Sequence, residues 1–431
     1  MKLQSDAVVQ RLHGLHPSLI DLSLDRISRL LGELGNPHKR LPCPIHVAGT
    51  NGKGSYLAFM QSICEAAGLK VHRYTSPHLV SFGERIVVAG KMLSDEEVIR
   101  LLEECETANA GRDITFFEIT TAAAFLAFSR NNADITLIET GLGGRFDATN
   151  VLEKPALTAI TPVAMDHMRF LGDDLSKIAF EKAGILKRSV PAVIGLQEPE
   201  SLEVIEKRAA ELQIPLFRQK IEWDVVANEG GISVMESKHR IDLPKPSLLG
   251  FHQHSNAAQA VISARLIPEL ALNKEALSIG LEQATWPGRL QKIIEGKLFS
   301  TLPSGWELWI DGGHNPAAAR MIADFARGWG DLPLVLIFGA LNTRNPIEFL
   351  EQLLPVSDQI ICVTIPGELS SLPASETSAA ARTVGMSASE ATSVFEALKM
   401  ASSRSARGRV LICGSLYLAG AALNLNGTPP I

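Results

Sequence analysis

Tyr56, Phe59, Met60, Ile63, Cys64 and Ala67 recur at helical spacing, directly after a mostly apolar run at 45–48 and a glycine-rich turn. The pattern predicts a strand, a tight loop and a helix in immediate succession. Short apolar runs at 134–138 and 157–160 read as further strands, and 117–128 is almost wholly apolar and long enough for a buried helix. This alternation, from about residue 45 to about 200, predicts a largely parallel sheet covered by helices. Residues 217–244 read as β-hairpins and loops turning at Gly230-Gly231, and a helix is expected over 253–267. Helical periodicity stops at Trp286-Pro287-Gly288-Arg289, which marks a domain boundary. Beyond it, strands are expected near 306–310, 334–338, 359–363 and 409–413, with helices between them. The Ser/Ala-rich stretch 370–380 reads as a mobile connection.

Length agrees with this division, because 431 residues exceed what one compact core organises. The expectation is an α/β protein with an N-terminal domain over 1–285 and a smaller C-terminal domain over 289–431. With 46% apolar and 20% charged residues, and no run of 18 apolar positions, the composition is that of a soluble protein. The opening Met-Lys-Leu-Gln-Ser-Asp lacks a signal peptide's apolar core, so a cytoplasmic location is expected. Cys43, Cys64, Cys105, Cys362 and Cys413 are scattered, without paired spacing, and read as reduced core residues. A net charge of −6 argues against a nucleic-acid partner and makes any anionic ligand dependent on local cations.

Such a cation stands in the glycine-rich turn itself. Gly49, Thr50, Asn51, Gly52, Lys53, Gly54 and Ser55 place one lysine among residues whose backbone N–H groups can face a phosphate chain, at the start of a helix. Gly54 separates Lys53 from Ser55, so the loop is not a strict Walker A sequence, yet its strand–loop–helix setting favours a nucleoside triphosphate. Glu139 ends one predicted strand and Asp166-His167 follows another, at the sheet edge where α/β proteins collect ligands. Glu139 suits Mg2+ or water. Imidazole is an unusual Mg2+ ligand, so spacing alone leaves His167 open between a structural and a ligating role. Lys182 shares a helical side with Leu175, Ile178 and Ala179, which leaves it either inward and then paired or modified, or reaching to solvent. Asp311-Gly-Gly-His314 and Gly414-Ser415 end two further strands, and Pro316 is placed to open a helix.

Taken together, these segments resemble the folylpolyglutamate synthase/dihydrofolate synthase family of the bifunctional bacterial type, ATP-dependent amide ligases akin to the cell-wall Mur ligases. The resemblance rests on HVAGTNGKGS (46–55), SPHLVSFGERI (76–86), ETGLGGRFDATN (139–150), DHMRFLG (166–172), FEKAGI (180–185), FHQHSNAAQA (251–260), PGRL (287–290), DGGHNP (311–316) and GSLYLAG (414–420). It implies a P-loop N-terminal domain, a Rossmann-like C-terminal domain and an active site in the cleft between them. It also implies a reaction in which ATP phosphorylates a folate-type carboxylate and the amine of L-glutamate displaces the phosphate. By motif position, Lys53 and the 49–55 backbone would hold the triphosphate, and Ser76, Glu139 and His167 the Mg2+. Lys182 matches a lysine that the family carries as a carbamate. Asn256, Arg289 and Asp311 would contact ATP, while His314 and Ser415 would orient glutamate. Thr115, Phe117 and Asp147 match a dihydropteroate pocket, with Arg85 as a carboxylate or phosphate partner.

The chain departs from the family at Asn342 and Asn345, where acidic residues or lysine are common, and at Gly313, where alanine is common. The expected partners are dihydropteroate, reduced folates, L-glutamate and ATP, acting on a monomer with no nucleic acid and no membrane. Two other classes compete: a nucleotide-gated ATPase that ligates nothing, and a Mur-type ligase for a cell-wall precursor. The second is disfavoured because the loop begins by residue 49, which leaves no room for a precursor-binding domain ahead of it.

Overall fold

The structure, a computed structural model, describes residues 23–430 apart from 238, 331, 358 and 404. The described residues form two compact units. One comprises the chain up to residue 78 with 82–247 and 253–285, and the other comprises 79–81, 248–252 and 286 onward. The division near residue 286 lies where periodicity stops, but the short segments 79–81 and 248–252 depart from a simple cut of the chain.

In the first unit, β1 (Pro44–Ala48), β2 (Val71–Tyr74), β3 (Ile86–Val88), β4 (Lys91–Met92), β5 (Ile135–Glu139), β6 (Leu157–Ile160), β7 (Ala192–Ile194) and β8 (Leu216–Arg218) form one sheet. Its order is β4-β3-β2-β5-β1-β6-β7-β8. Pairing is parallel from β2 through β8, and β3 and β4 complete the edge in antiparallel fashion. β5 and β6 are buried at every position, as strands covered on both faces must be. The parallel strands therefore deliver their carboxyl ends, and the loops that follow, to one edge. Helix Lys53–Ala66 buries Tyr56, Phe59, Met60, Ile63 and Cys64 as its periodicity predicts, and Leu57 and Ala58 as well. Ala67 is a correction: it is exposed, because a bond from Leu69 N to Cys64 O closes the helix just before it. A small antiparallel sheet of β9 (Trp223–Asn228), β10 (Gly231–Glu236) and β11 (His239–Pro244) occupies the expected hairpin region. Helix Phe251–Arg265 starts and ends two residues earlier than the pattern predicts.

The second unit contains β12 (Gln291–Ile293), β13 (Trp306–Ile310), β14 (Leu334–Phe338), β15 (Gln359–Cys362), β16 (Ser387–Glu390) and β17 (Gly408–Cys413). Their order is β12-β13-β17-β14-β15-β16, parallel except for the edge strand β12. The stretch 370–380 is not a mobile connection: most of it belongs to helix Ala374–Thr383. Its polar residues misled the pattern, because Thr377 and Ser378 are fully buried and return their hydroxyls to the Ala374 and Ser375 carbonyls of the same helix. Four of the cysteines are buried, whereas Cys43 is half-buried, and all five are free thiols. No described helix is long and apolar enough to cross a membrane.

One surface cluster fixes the edge of the second sheet. Glu307 accepts from Lys292 Nζ at 2.7 Å, from Arg409 Nε at 2.6 Å and from Trp309 Nε1 at 3.2 Å. Partial burial pushes its carboxyl up, but these donors outweigh that effect and hold it at about 2. A depressed folded-state value contributes stability above the unfolded carboxyl's usual range, and that contribution disappears as pH falls through the folded value. Glu307→Gln is therefore expected to be less stable than the parent at pH 7, with the gap in urea midpoint closing as pH is lowered from about 4.5 toward 2. A gap independent of pH would contradict the account.

Candidate active site

The turn after β1 is pinned from several sides. Thr50 N and Asn51 N donate to Pro162 O at 3.0 and 3.2 Å, and Thr50 Oγ1 donates to Ala164 O at 3.0 Å. These bonds tie the glycine-rich loop to the chain after β6. Gly52 adopts φ +91°, and a Cβ there would lie 2.6 Å from Asn256 Oδ1, so the position needs glycine both for its conformation and for its space. Asn256 is buried, donates to Gln253 Oε1 at 2.9 Å, and Gln253 in turn donates to Ser55 Oγ at 3.1 Å. The turn is thus held as a preformed cradle.

Two lysines converge on that cradle. Lys53 Nζ donates to Gly49 O at 3.0 Å and stands 3.8 Å from Glu139 Oε1. Lys182 Nζ donates to the same Gly49 oxygen at 2.9 Å. Lys182 is 4% exposed, so it lies inside the unit and does not reach solvent. Burial, followed by the nearby Lys53 charge, lowers its pKa well below the ordinary lysine value, while Asp147 opposes the shift. Ser76 N donates to Glu139 Oε2 at 3.2 Å, which brings the ends of β2 and β5 together. His167 is exposed, begins helix Met168–Leu171 with φ +51°, and has Nε2 3.9 Å from Asp166 Oδ1. Among the described residues no three His, Cys, Asp or Glu side chains cluster as a metal cage. One carboxylate beside a phosphate-type cradle still fits Mg2+, which keeps waters and phosphate oxygens as ligands.

A cavity of about 250 Å3 adjoins Ser76 and His167 and is also lined by Arg85, Thr115, Phe117, Glu118, Gly141 and Asp147. The Phe117 ring lies against Gly141, where a Cβ would come within 2.4 Å of its edge. Thr115 caps helix Phe116–Ser129 in a capping box: its hydroxyl accepts from Glu118 N, and Glu118 Oε2 accepts from Thr115 N at 2.7 Å. Asp147 is 2% exposed, and burial pushes its carboxyl up against the hydrogen bonds it receives. Arg85 is buried with its guanidinium over the Phe82 and Phe116 rings, at 5.3 and 5.7 Å, and donates from Nε to His78 Nδ1 at 2.9 Å. Burial and then the Arg85 charge hold His78 at about 3, so it accepts that bond as a neutral ring.

In the second unit, the loops after β13 and β17 lie side by side. Asp311 is buried and accepts from Leu290 N at 2.8 Å and Gly313 N at 2.6 Å. Burial raises its pKa, and the Arg289 charge opposes that rise. The His314 ring sits 3.2 Å from Gly312 O through Nδ1, and Gly414 N donates to Gly313 O at 3.2 Å. Ser415 is the buried N-cap of helix Leu416–Asn426, accepting from Tyr417 N at 3.1 Å. Arg289, Asp311, His314 and Ser415 are therefore gathered at one sheet edge of that unit.

Residues 47–264 match the family model of the Mur ligase middle domain, and 297–425 match that of the dihydrofolate synthetase C-terminal domain. The chain is 36% identical over 361 residues to the dihydrofolate synthase/folylpolyglutamate synthase of Bacillus subtilis, covering 79% of this chain and 81% of the relative. The chain belongs to the dihydrofolate synthase/folylpolyglutamate synthase family. Among solved structures it resembles Escherichia coli FolC in complex with DHPP and ADP, with a TM-score of 0.88, 30% identity and coverage of 98% and 97% of the two chains. It also resembles the bifunctional enzyme of Yersinia pestis complexed with AMPPNP and a Mn ion, with a TM-score of 0.86, 30% identity and 97% coverage of each chain.

Membership of this ligase family directs attention to a cavity residue that sequence reasoning passed over. Glu118 is buried in the cavity wall, with Arg26 Nε donating to its Oε2 at 3.0 Å. Its other oxygen, Oε1, is buried without a hydrogen-bond partner among the described residues. The Thr-x-x-Glu spacing of a capping box was visible in the sequence, but that signal ordinarily marks only a helix start.

Proposed function

We propose that this protein is an ATP-dependent ligase that adds L-glutamate to dihydropteroate and to reduced folates. The observation that carries the reading is a phosphate-type cradle, with Lys53 and Glu139 at its mouth, in the same unit as a cavity large enough for a bicyclic ring. A carboxylate oxygen of the acceptor attacks the γ-phosphorus of ATP and ADP leaves. The glutamate nitrogen then attacks the acyl carbon of the mixed anhydride, phosphate departs, and the nitrogen loses a proton to give the amide. The chemistry needs charge neutralisation and in-line placement, with no covalent enzyme nucleophile.

In this reading Lys53 and the 49–55 backbone hold the triphosphate, with Asn256, Arg289 and Asp311 as further ATP contacts. Ser76, Glu139 and His167 would hold Mg2+, which neutralises phosphate charge when bound. His314 and Ser415 orient glutamate, Ser415 from a helix N-terminus suited to a carboxylate. Residues 1–285 serve the triphosphate and the acceptor, and 289–431 serve the glutamate half of the reaction and add the Arg289 and Asp311 contacts to ATP. Lys182 works as a carbamate: its neutral nitrogen bonds to the carbon of CO2 and releases a proton, which turns a costly buried cation into an anion. Burial of Lys182 beside Lys53 supports that assignment.

Phe117 packs on the pterin ring, Asp147 accepts from its amino-pyrimidine edge, and Arg85 neutralises an acidic group. The bifunctional reading predicts turnover with both dihydropteroate and tetrahydrofolate. Asp147→Ala is expected to lower kcat/KM with dihydropteroate more than with tetrahydrofolate. Equal losses, or no dihydropteroate activity in the parent protein, would overturn it.

A further inference from the structure

His46 lies in β1, fully buried, behind the cavity wall and outside the set of groups assigned above. Its Nε2 is 2.8 Å from Thr149 Oγ1, and the Thr149 hydroxyl bonds in turn to Asp147 Oδ1. Its other nitrogen, Nδ1, is buried without a partner among the described residues. Asp147 also receives Leu142 N on Oδ2 at 2.7 Å and Thr149 N on Oδ1 at 3.0 Å.

The direction of this chain follows from the donors available. Backbone N–H groups point at both Asp147 oxygens, which is the environment of an ionised carboxylate, and a carboxylate only accepts. The Thr149 proton must then lie on Asp147 Oδ1, so Thr149 Oγ1 must accept from His46 Nε2–H. That leaves a bare lone pair on Nδ1, matching its lack of a partner. The reverse order needs a protonated Asp147 and a buried, unpartnered Nδ1–H, and orphaned buried N–H groups are the rarer and costlier kind. Burial and then the Lys187 charge hold the ring neutral, at about 3.

We propose that His46 is a positioning residue for substrate binding: through Thr149 it fixes the Asp147 carboxylate in the orientation with which it lines the cavity. The proposal rests on the reading of Asp147 as a pterin contact. It deepens that reading by assigning specificity to a residue that touches no substrate. His46 contributes a donor at a fixed place, so another side chain with an N–H at that place should substitute for it.

The test compares steady-state kinetics of four variants with a tautomer measurement on the parent protein. Thr149→Val is expected to raise KM for dihydropteroate about tenfold, the size of one lost hydrogen bond to a charged group. His46→Leu should raise it roughly three- to fivefold, and the double variant no further than Thr149→Val alone, because both cut one chain. His46→Gln, whose amide N–H can reach Thr149, should stay within about twofold of the parent, and KM for ATP should be unchanged throughout. Additive effects, an equal rise in KM for ATP, or an unchanged dihydropteroate KM in folded His46→Leu would overturn the proposal. If His46→Leu does not fold, 15N spectra of the parent's histidines, assigned with His46→Gln, decide it. A neutral Nε2–H tautomer supports the chain, and an Nδ1–H tautomer overturns it. The underlying reading fails separately, if Asp147→Ala leaves KM for dihydropteroate unchanged.

Discussion

Lys53→Ala is expected to lower kcat by a factor of several hundred while the protein stays folded. The ammonium sits on the rim of the cradle, bonded to Gly49 O and 3.8 Å from Glu139, and these contacts are polar. Its removal should therefore cost little in melting temperature. A preorganised cation facing the transferring phosphoryl group contributes roughly 3–4 kcal/mol to the transition state, which sets the size of the rate effect. Glutamate-dependent ADP formation measures it. Near-normal turnover in a folded variant would remove the basis for placing the triphosphate here.

Lys182→Ala should also lose activity by about a hundredfold or more, and for a different reason. An unmodified lysine so deeply buried, beside Lys53, meets both desolvation and like-charge repulsion. The same two effects favour the neutral amine, the form that reacts with CO2, over the ammonium. A carbamate anion at Lys182 would have Lys53 as a neighbouring cation. Two results are expected. Millimolar acetate or propionate should restore part of the activity of Lys182→Ala by supplying an anion to the vacated space, and should not restore Lys53→Ala. Protein equilibrated with 13C-labelled CO2 should show a carbamate resonance in the parent that is absent from Lys182→Ala. An active parent without that resonance would contradict the modification.

Much of the fold was legible because its strands are buried on both faces and its helices are amphipathic or wholly apolar. The runs at 157–160, 306–310 and 334–338 are strands at those bounds. What failed was local polarity acting as a guide to mobility. The Ser/Ala-rich helix Ala374–Thr383 buries Thr377 and Ser378 with their hydroxyls satisfied on its own backbone, and no composition rule anticipates that. Ala67 failed on a boundary, where the closing hydrogen bond outranks one more turn of periodicity.

The site divides in a similar way. Loops at the ends of parallel strands announce themselves through glycine and charge, so Lys53, Glu139, Asp311 and Ser415 stood out in the sequence. Groups that act through packing or through a second residue did not. Glu118 was hidden in a capping box, and His46 in an ordinary strand, where a single imidazole carries no pattern. The role proposed for that residue rests on the distance from His46 to Thr149 and on an Nδ1 without a partner among the described residues.

The central claim is ligation driven by ATP, and coupled turnover tests it most directly. Purified protein is incubated with ATP, Mg2+ and dihydropteroate, with and without L-glutamate, while phosphate release and product mass are followed together. The account predicts phosphate release that depends on glutamate and matches, one for one, a product heavier by one glutamyl residue. Sustained phosphate release without glutamate, or release with no amide product from either dihydropteroate or tetrahydrofolate, would contradict it.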